Sequence, residues 1–251
     1  MNLTIIEQKK SNWLQQIVLI LSIGVFLFSL FKIGHIVYGY VKNDKIMAEI
    51  QEVYHKDTST TSKAADPLES MTEINEDIIG WITIDDTKID YPILQSTDNE
   101  YYLNRNYKKE ESKAGSIFMD YRNKQGADNL HTIIYGHEMK NGSMFGELEK
   151  FLDEDFFSKH HTFQYKTKAG NYEVEIFSVY ATTTEFDYLK TEFSTDEQYK
   201  DFLQTISAKS AFPTNVELNE QDQIITLSTC SNLSDPNEGR FVVHGKITEI
   251  Q

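Results

Sequence analysis

"QIITLSTCSNLSDPNEGRFVVHGKITEI", residues 223–250, contains two β-prone segments separated by a polar loop. Residues 223–230 and 240–250 are rich in β-branched side chains. The nine residues between them, 231–239, carry Ser, Asn, Asp, Pro and Gly, which is loop composition. Paired as an antiparallel hairpin, the segments set Cys230, at the end of one strand, almost opposite Arg240, at the start of the next. The two Cα atoms would lie roughly 5 Å apart. Side chains alternate along a strand, so Ile224, Thr226, Ser228 and Cys230 share one face. Cys230 is the only cysteine in the 251-residue chain.

Working outward, six more segments have strand composition: "WITI" (81–84), "YPILQ" (91–95), "GSIFMDY" (115–121), "HTIIYG" (131–136), "HTFQYKT" (161–167) and "YEVEIFSVYATT" (172–183). About eight short strands without regular strand–helix alternation predict a mainly β domain, a barrel or sandwich. Residues 41–56 read as a polar helix continuing from the apolar N-terminus, and three further segments read as helices. In "LESMTEINEDIIGW", residues 68–81, Leu68, Met71, Ile74 and Ile78 recur at helical spacing, with Gly80 as the stop. "SMFGELEKFLDEDFFSKH" reads as a helix from Ser143. "STDEQYKDFLQTISAKS" reads as a long helix from Ser194, with Ser194 and Glu197 as a capping box. Tyr199, Phe202, Leu203 and Ile206 give it an apolar face.

The N-terminus is of a different kind. Ser11 to Phe31 is 21 residues without a charge, about 31 Å as a helix, close to a bilayer's hydrocarbon thickness. Lys9 and Lys10 precede the run, Lys32 follows it, and Trp13 sits near one end where interfacial aromatics concentrate. "KIGHIVYGY" after it has no small-residue cleavage pattern, so the run reads as an uncleaved signal anchor. Lys counts on the two flanks do not fix its orientation. The chain divides into residues 1–10, an anchor over 11–40, a stalk and Ser/Thr-rich linker over 41–67, and a folded domain over 68–251.

The formal net charge is -15, and Glu7, Lys9, Lys10 and Lys32 are the only charged residues before residue 41. The acidity therefore belongs to the rest of the chain, which argues against nucleic acid as a partner. One cysteine excludes an internal disulfide and Cys-rich zinc sites. No metal or cofactor is expected.

A single cysteine is most often a buried filler. A strand end beside an arginine and a polar loop favours the thiolate instead. Arg240 in turn could be a surface ion pair or a rigid fork of donors for a carbonyl or oxyanion. Among the seven histidines, His137 follows a strand at its exit into a loop, where functional side chains concentrate. His131 shares its parity, about 20 Å back along the strand. His244 shares the face of Arg240. Spacing alone leaves both His137 and His244 as candidates.

"YGHEM", "TLSTC" and "GRFVV" together resemble the His, Cys and Arg motifs of sortases, cysteine transpeptidases of Gram-positive cell surfaces. "INEDIIGWITI", "YPILQ", "AGSIFMDYRN", "TIIYGH", "MFGELEKF" and "YATTTEFDYLKTEF", with the long helix after Ser194, are similar to class B members over residues 68–251. The resemblance implies an eight-stranded sortase barrel with N-terminal helices, the class B helix inserted between late strands, and a single transmembrane anchor. Residues 1–10 would then be cytoplasmic and the domain outside the cell. It implies Cys230, His137 and Arg240 as catalytic residues and Asn104, Tyr135, Thr184, Tyr188, Leu189 and Ser228 as the substrate groove. The implied reaction cleaves an NPxT-like C-terminal sorting signal of a surface protein after Thr. Transfer would follow to an amine of a peptidoglycan precursor (lipid II) or cross-bridge, or to a pilin lysine in a pilus-assembling relative. A cell-wall cysteine peptidase is the alternative enzyme. A membrane-tethered β-domain that binds cell-wall polymer, with Cys230 inert, is the non-enzyme alternative.

Overall fold

The computed structural model describes residues 3–59, 66–125, 129–230 and 238–250. Helix α1 is Leu3–Ser59 and α2 is Pro67–Ile74. Strands follow as β1 Ile78–Thr83, β2 Asp90–Leu94, β3 Ile117–Met119 and β4 His131–Tyr135. Helix α3 is Glu154–Lys159. Then come β5 Thr162–Thr167, β6 Gly170–Thr183, helix α4 Asp196–Ser207, β7 Ile224–Cys230 and β8 Gly239–Glu249. The eight strands close into a barrel in the order β1-β2-β3-β4-β7-β8-β6-β5. Neighbours are antiparallel except for β2 with β3 and β4 with β7, which run parallel. All eight segments read as strands from their composition lie in it.

Strand alternation divides β7 and β8 between two cores. Ile225, Leu227, Phe241 and Val243 belong to the larger cluster, with Val174 and Val179 of β6. Ile224 and Val242 belong to a second cluster, packed under Tyr199, Phe202, Leu203 and Ile206 of α4. Each such side chain, fully buried, contributes on the order of 1.5–3 kcal/mol. Helix α4 therefore covers the outer face that also carries Thr226 and Ser228.

The chain forms two compact units, Met1–Lys45 and Ile46–Gln251. In the first, α1 exposes Val18, Leu19, Phe26, Leu27, Phe28 and Phe31. The helix is long and apolar enough to cross a membrane. The second unit begins at Ile46, well before the boundary at 68 read from the sequence, because the end of α1 is part of its core. Met47, Ile50 and Tyr54 are buried. Tyr54 stacks on Trp81 at 3.9 Å between ring centroids. Asp90 anchors the same junction. Its carboxylate accepts from Trp81 Nε1 at 2.7 Å, Thr83 Oγ1 at 3.1 Å and His55 Nε2 at 2.7 Å, and its carbonyl accepts from Gln51 Nε2. Residues 60–65 of the expected linker lie outside the described residues.

Three helix assignments change. Helix α2 ends at Ile74, and Ile78 and Gly80 lie in β1. Gly80 is required there by close approach rather than as a helix stop, since a Cβ would lie 2.6 Å from the Lys166 carbonyl oxygen of β5. The expected helix from Ser143 is a 3-10 turn, Leu148–Leu152, followed by α3. Asp153 separates them: its N–H bonds the Lys150 carbonyl while its carboxylate caps α3 by accepting from Phe156 N–H. Helix α4 is capped by Thr195, which accepts from Gln198 N–H. Gln198 reaches back to accept from Ser194 N–H, so the cap lies one residue beyond the Ser194–Glu197 pair.

Gly80→Ala should destabilise the barrel by about 1–3 kcal/mol, because the obstacle is backbone and cannot swing away. Thermal unfolding of the full chain in detergent should move down by several degrees. An unchanged midpoint would contradict the close β1–β5 approach.

Candidate active site

Strands β4, β7 and β8 are adjacent, and their ladders set which residues share a level. Tyr135 pairs with Ser228, Ser228 with Val242, and Cys230 with Arg240. The opposition of Cys230 and Arg240 expected from the hairpin is therefore present. Gly136 N–H donates to the Ser228 carbonyl at 3.2 Å, carrying the parallel ladder one residue past β4. His137 follows two residues beyond the last β4–β7 pair, as Cys230 follows two residues beyond Ser228. His137 just past the end of β4, Cys230 at the end of β7 and Arg240 at the start of β8 thus lie toward one rim of the barrel. On the far side of Arg240, Thr182 of β6 is its ladder partner. Of the loop between β7 and β8, residues 231–237 lie outside the described residues.

His137 is half-exposed, and its Nε2 lies 2.7 Å from the Leu103 carbonyl oxygen. A carbonyl only accepts, so Nε2 carries a proton and Nδ1 is the basic nitrogen of the neutral ring. Its backbone is held too, since its carbonyl accepts from Phe145 N–H at 3.0 Å. The glycine before it is dictated by packing: a Cβ on Gly136 would lie 2.4 Å from Ile117 Cδ1 and 2.8 Å from the Phe145 ring. Arg240 is half-buried, and one of its terminal nitrogens donates to the Gly239 carbonyl at 2.8 Å.

Of the six groove positions read from the resemblance, Asn104, Tyr135, Thr184 and Ser228 are close in chain or hydrogen bonding to residues 103, 137, 230 and 238–240, and Tyr188 and Leu189 are tied to Ser228 and Arg122. Asn104 is exposed and follows Leu103, the partner of His137. Tyr135 is half-buried and its hydroxyl donates to Asp120 at 2.8 Å. Thr184 is exposed, its N–H and hydroxyl both donating to Glu238, the neighbour of Gly239. Leu189 is half-buried, and its carbonyl accepts from Arg122 at 3.1 Å. Tyr188 and Ser228 differ: both are buried, and their hydroxyl oxygens are 2.9 Å apart. These two touch each other beneath the surface.

Asp120 and Arg122 carry more of this region than their residue types announce. The Asp120 side chain is fully buried. It accepts from Arg122 Nε at 2.9 Å, from a terminal Arg122 nitrogen at 2.8 Å, from the Tyr135 hydroxyl and from Asn99. Burial pushes its carboxyl pKa up, but the bonds from Arg122 and Tyr135 outweigh burial and hold it below the usual value. Burial, then Asp120, raises the Tyr135 hydroxyl. Only the Asp–x–Arg spacing of "DYR" hints at this network in sequence.

The rival histidines are core residues. His131 and His244 are fully buried, and each ring bonds the Thr226 hydroxyl at 2.6 Å. Burial lowers the pKa of His131 to about 4 and that of His244 well below its ordinary value. Neither ring faces the rim.

A cysteine and an arginine paired on adjacent strand ends, with a histidine just past the end of the next strand, are the parts needed for acyl transfer through a thiol. A family model described as the Sortase domain matches residues 82–248. A sortase B of Listeria monocytogenes is 48% identical over 242 residues, covering 95% of this chain and 98% of the relative. Among solved structures, a Staphylococcus aureus sortase B–substrate complex superposes with a TM-score of 0.80 at 34% identity, covering 85% of this chain and 100% of the other. A sortase B complexed with triglycine gives a TM-score of 0.78 at 34% identity, covering 84% and 99%. The chain belongs to the sortase family, class B. Sortases are cysteine transpeptidases of the cell surface that join surface proteins to amine nucleophiles in the cell wall, and the apolar N-terminal helix suits such a location.

The buried histidines give a pH signature. Folded, both rings are neutral; unfolded, they titrate near the ordinary value of about 6.5. Below that the unfolded state binds more protons, so stability falls from about pH 6.5 until pH passes the folded value, about 4 for His131. Asp120 acts lower: its contribution is present above 3.8, the ordinary value, and is lost as pH falls through its depressed folded value. The melting temperature should decline between pH 6.5 and 4, less steeply in His131→Phe. A flat profile across that window would contradict neutral, buried rings.

Proposed function

We propose that this chain is a single-pass membrane transpeptidase whose domain lies outside the cell, with residues 1–10 in the cytoplasm. It cleaves an NPxT-like sorting signal after Thr and joins the surface protein to a cell-wall amine, on lipid II or a cross-bridge. The observation that supports this is the pairing of Cys230 with Arg240 across β7 and β8, with His137 two residues past the end of the neighbouring strand β4.

In the first half-reaction His137 Nδ1 takes the Cys230 thiol proton as the sulfur attacks the Thr carbonyl carbon. The C–N bond breaks, His137 protonates the departing amine, and a thioester to Cys230 remains. In the second half-reaction an acceptor amine attacks the thioester. His137 takes a proton from that amine, the new amide forms as the C–S bond breaks, and the same proton passes to the departing Cys230 sulfur, restoring the thiol. With Nε2 bonded to the Leu103 carbonyl, Nδ1 is the nitrogen that exchanges these protons. Arg240 would offer its planar fork to the substrate carbonyl and to the oxyanion that develops on it. Exposed Asn104 and Thr184 and half-buried Tyr135 and Leu189 line the acyl-donor groove. Tyr188 and Ser228 support it from beneath. The relatives solved with substrate and with triglycine support both halves.

The test is mass spectrometry of products from a sorting-peptide library, with the full chain in detergent and either triglycine or a lysine peptide as acceptor. A product carrying the added amine is expected, and the preferred acceptor separates cell-wall from pilin transfer. Hydrolysis alone would mean a peptidase. Cys230→Ala should have no turnover, and His137→Ala nearly none. Arg240→Lys should lose about 10²–10³ in kcat, because geometry as well as charge is needed. Full turnover in Cys230→Ala would end the proposal. Protease added to wall-stripped cells should digest the domain, and a protected domain would contradict the orientation.

A further inference from the structure

One run of buried hydrogen bonds has its direction fixed by the capacity of its members. The Lys190 carbonyl only accepts, so His131 Nδ1 donates to it, at 2.7 Å. In the neutral ring Nε2 must then accept, and it takes the Thr226 hydroxyl proton, at 2.6 Å. That hydroxyl has one proton, so its oxygen accepts from His244 Nδ1, at 2.6 Å. His244 Nε2 in turn accepts from the Tyr180 hydroxyl, at 2.7 Å. Both rings are Nδ1–H tautomers, and every side chain in this hydrogen-bond run has a partner.

The run ends on a segment that has neither helix nor strand of its own. Residues 188–190 follow β6 in irregular backbone and are held at three consecutive positions. The Tyr188 hydroxyl bonds Ser228 of β7, the Leu189 carbonyl accepts from Arg122, and the Lys190 carbonyl accepts from His131 of β4. Arg122 is itself fixed by Asp120. Thr226 stands on β7 four residues before Cys230. The segment and the strand that ends in the thiol are therefore locked to each other largely by buried side chains.

We propose that Thr226, His131, His244 and Tyr180 are positioning residues, whose hydrogen-bond run holds residues 188–190 as a rigid wall of the acyl-donor groove. This rests on the proposed function for the groove itself. None of the four needs to touch substrate. Loss of the run should act on peptide affinity rather than on the thiol.

Thr226→Val removes the central hydroxyl at nearly constant volume, and Thr226→Ser keeps it. In full chain held in detergent, hydrogen–deuterium exchange over residues 186–193 should quicken about tenfold in the valine variant and stay near wild type in the serine variant. KM for a sorting peptide should rise about tenfold in the valine variant, with kcat and the alkylation rate of Cys230 within about twofold of wild type. Unchanged exchange in Thr226→Val would overturn the clamp. Faster exchange with unchanged KM would overturn its role in the groove. If wild type cleaves no sorting peptide, the proposed function fails, while exchange still decides whether the run holds the segment. Should the valine variant not fold, 15N-histidine spectra of wild type decide the matter. Neutral Nδ1–H rings at His131 and His244 are expected at pH 7, and an Nε2–H or protonated ring at either position would overturn the run.

Discussion

The ladder that joins β4, β7 and β8 governs everything at the rim. Five residue pairs align β4 with β7 in parallel, and seven align β7 with β8 in antiparallel register. A slip of one residue in either ladder would move a whole strand's side chains to the opposite face. Two cores forbid that slip. Ile225 and Leu227 are committed to one cluster and Ile224 to the other, as are Val243 and Val242 on β8. Packing thus fixes the level of Cys230 against Arg240 from residues further along the same strands.

Polar groups supply what apolar packing cannot. Apolar contacts are non-directional, and a groove wall made of irregular backbone needs directional ties. Asp120 gathers Arg122, Tyr135 and Asn99, and Thr226 gathers His131 and His244. The buried members of both networks are satisfied, so they add rigidity without leaving an unpaired charge. At β1 and β2, Asp90 does the same for the end of α1, receiving Trp81, Thr83 and His55.

Much of this was legible in residues 223–250. Two β-branched runs and a polar loop were enough to place Cys230 opposite Arg240, because hairpin register is a local property. The other six strands were legible for the same reason. What local composition could not show was anything decided by contacts distant in sequence. Gly80 looks like a helix stop until the Lys166 carbonyl arrives from β5. Met47, Ile50 and Tyr54 sit on a helix that reads as stalk, and only the stack on Trp81 reveals their burial. Spacing left both His244 and His137 open; Tyr180, from β6, and Thr226 make one of them a core residue. Ser228 and Tyr188, 40 positions apart, become a buried pair only once the segment after β6 folds back over β7.

The central claim is that Cys230 is the acyl carrier between donor and acceptor. Intact-mass spectrometry of the full chain, quenched in acid soon after mixing with a sorting peptide and no amine, tests it most directly. An added mass equal to the peptide's N-terminal fragment through Thr is expected, mapped by digestion to Cys230 and discharged on addition of triglycine. Cleavage that proceeds with no adduct under these conditions, or an adduct on any other residue, would contradict it.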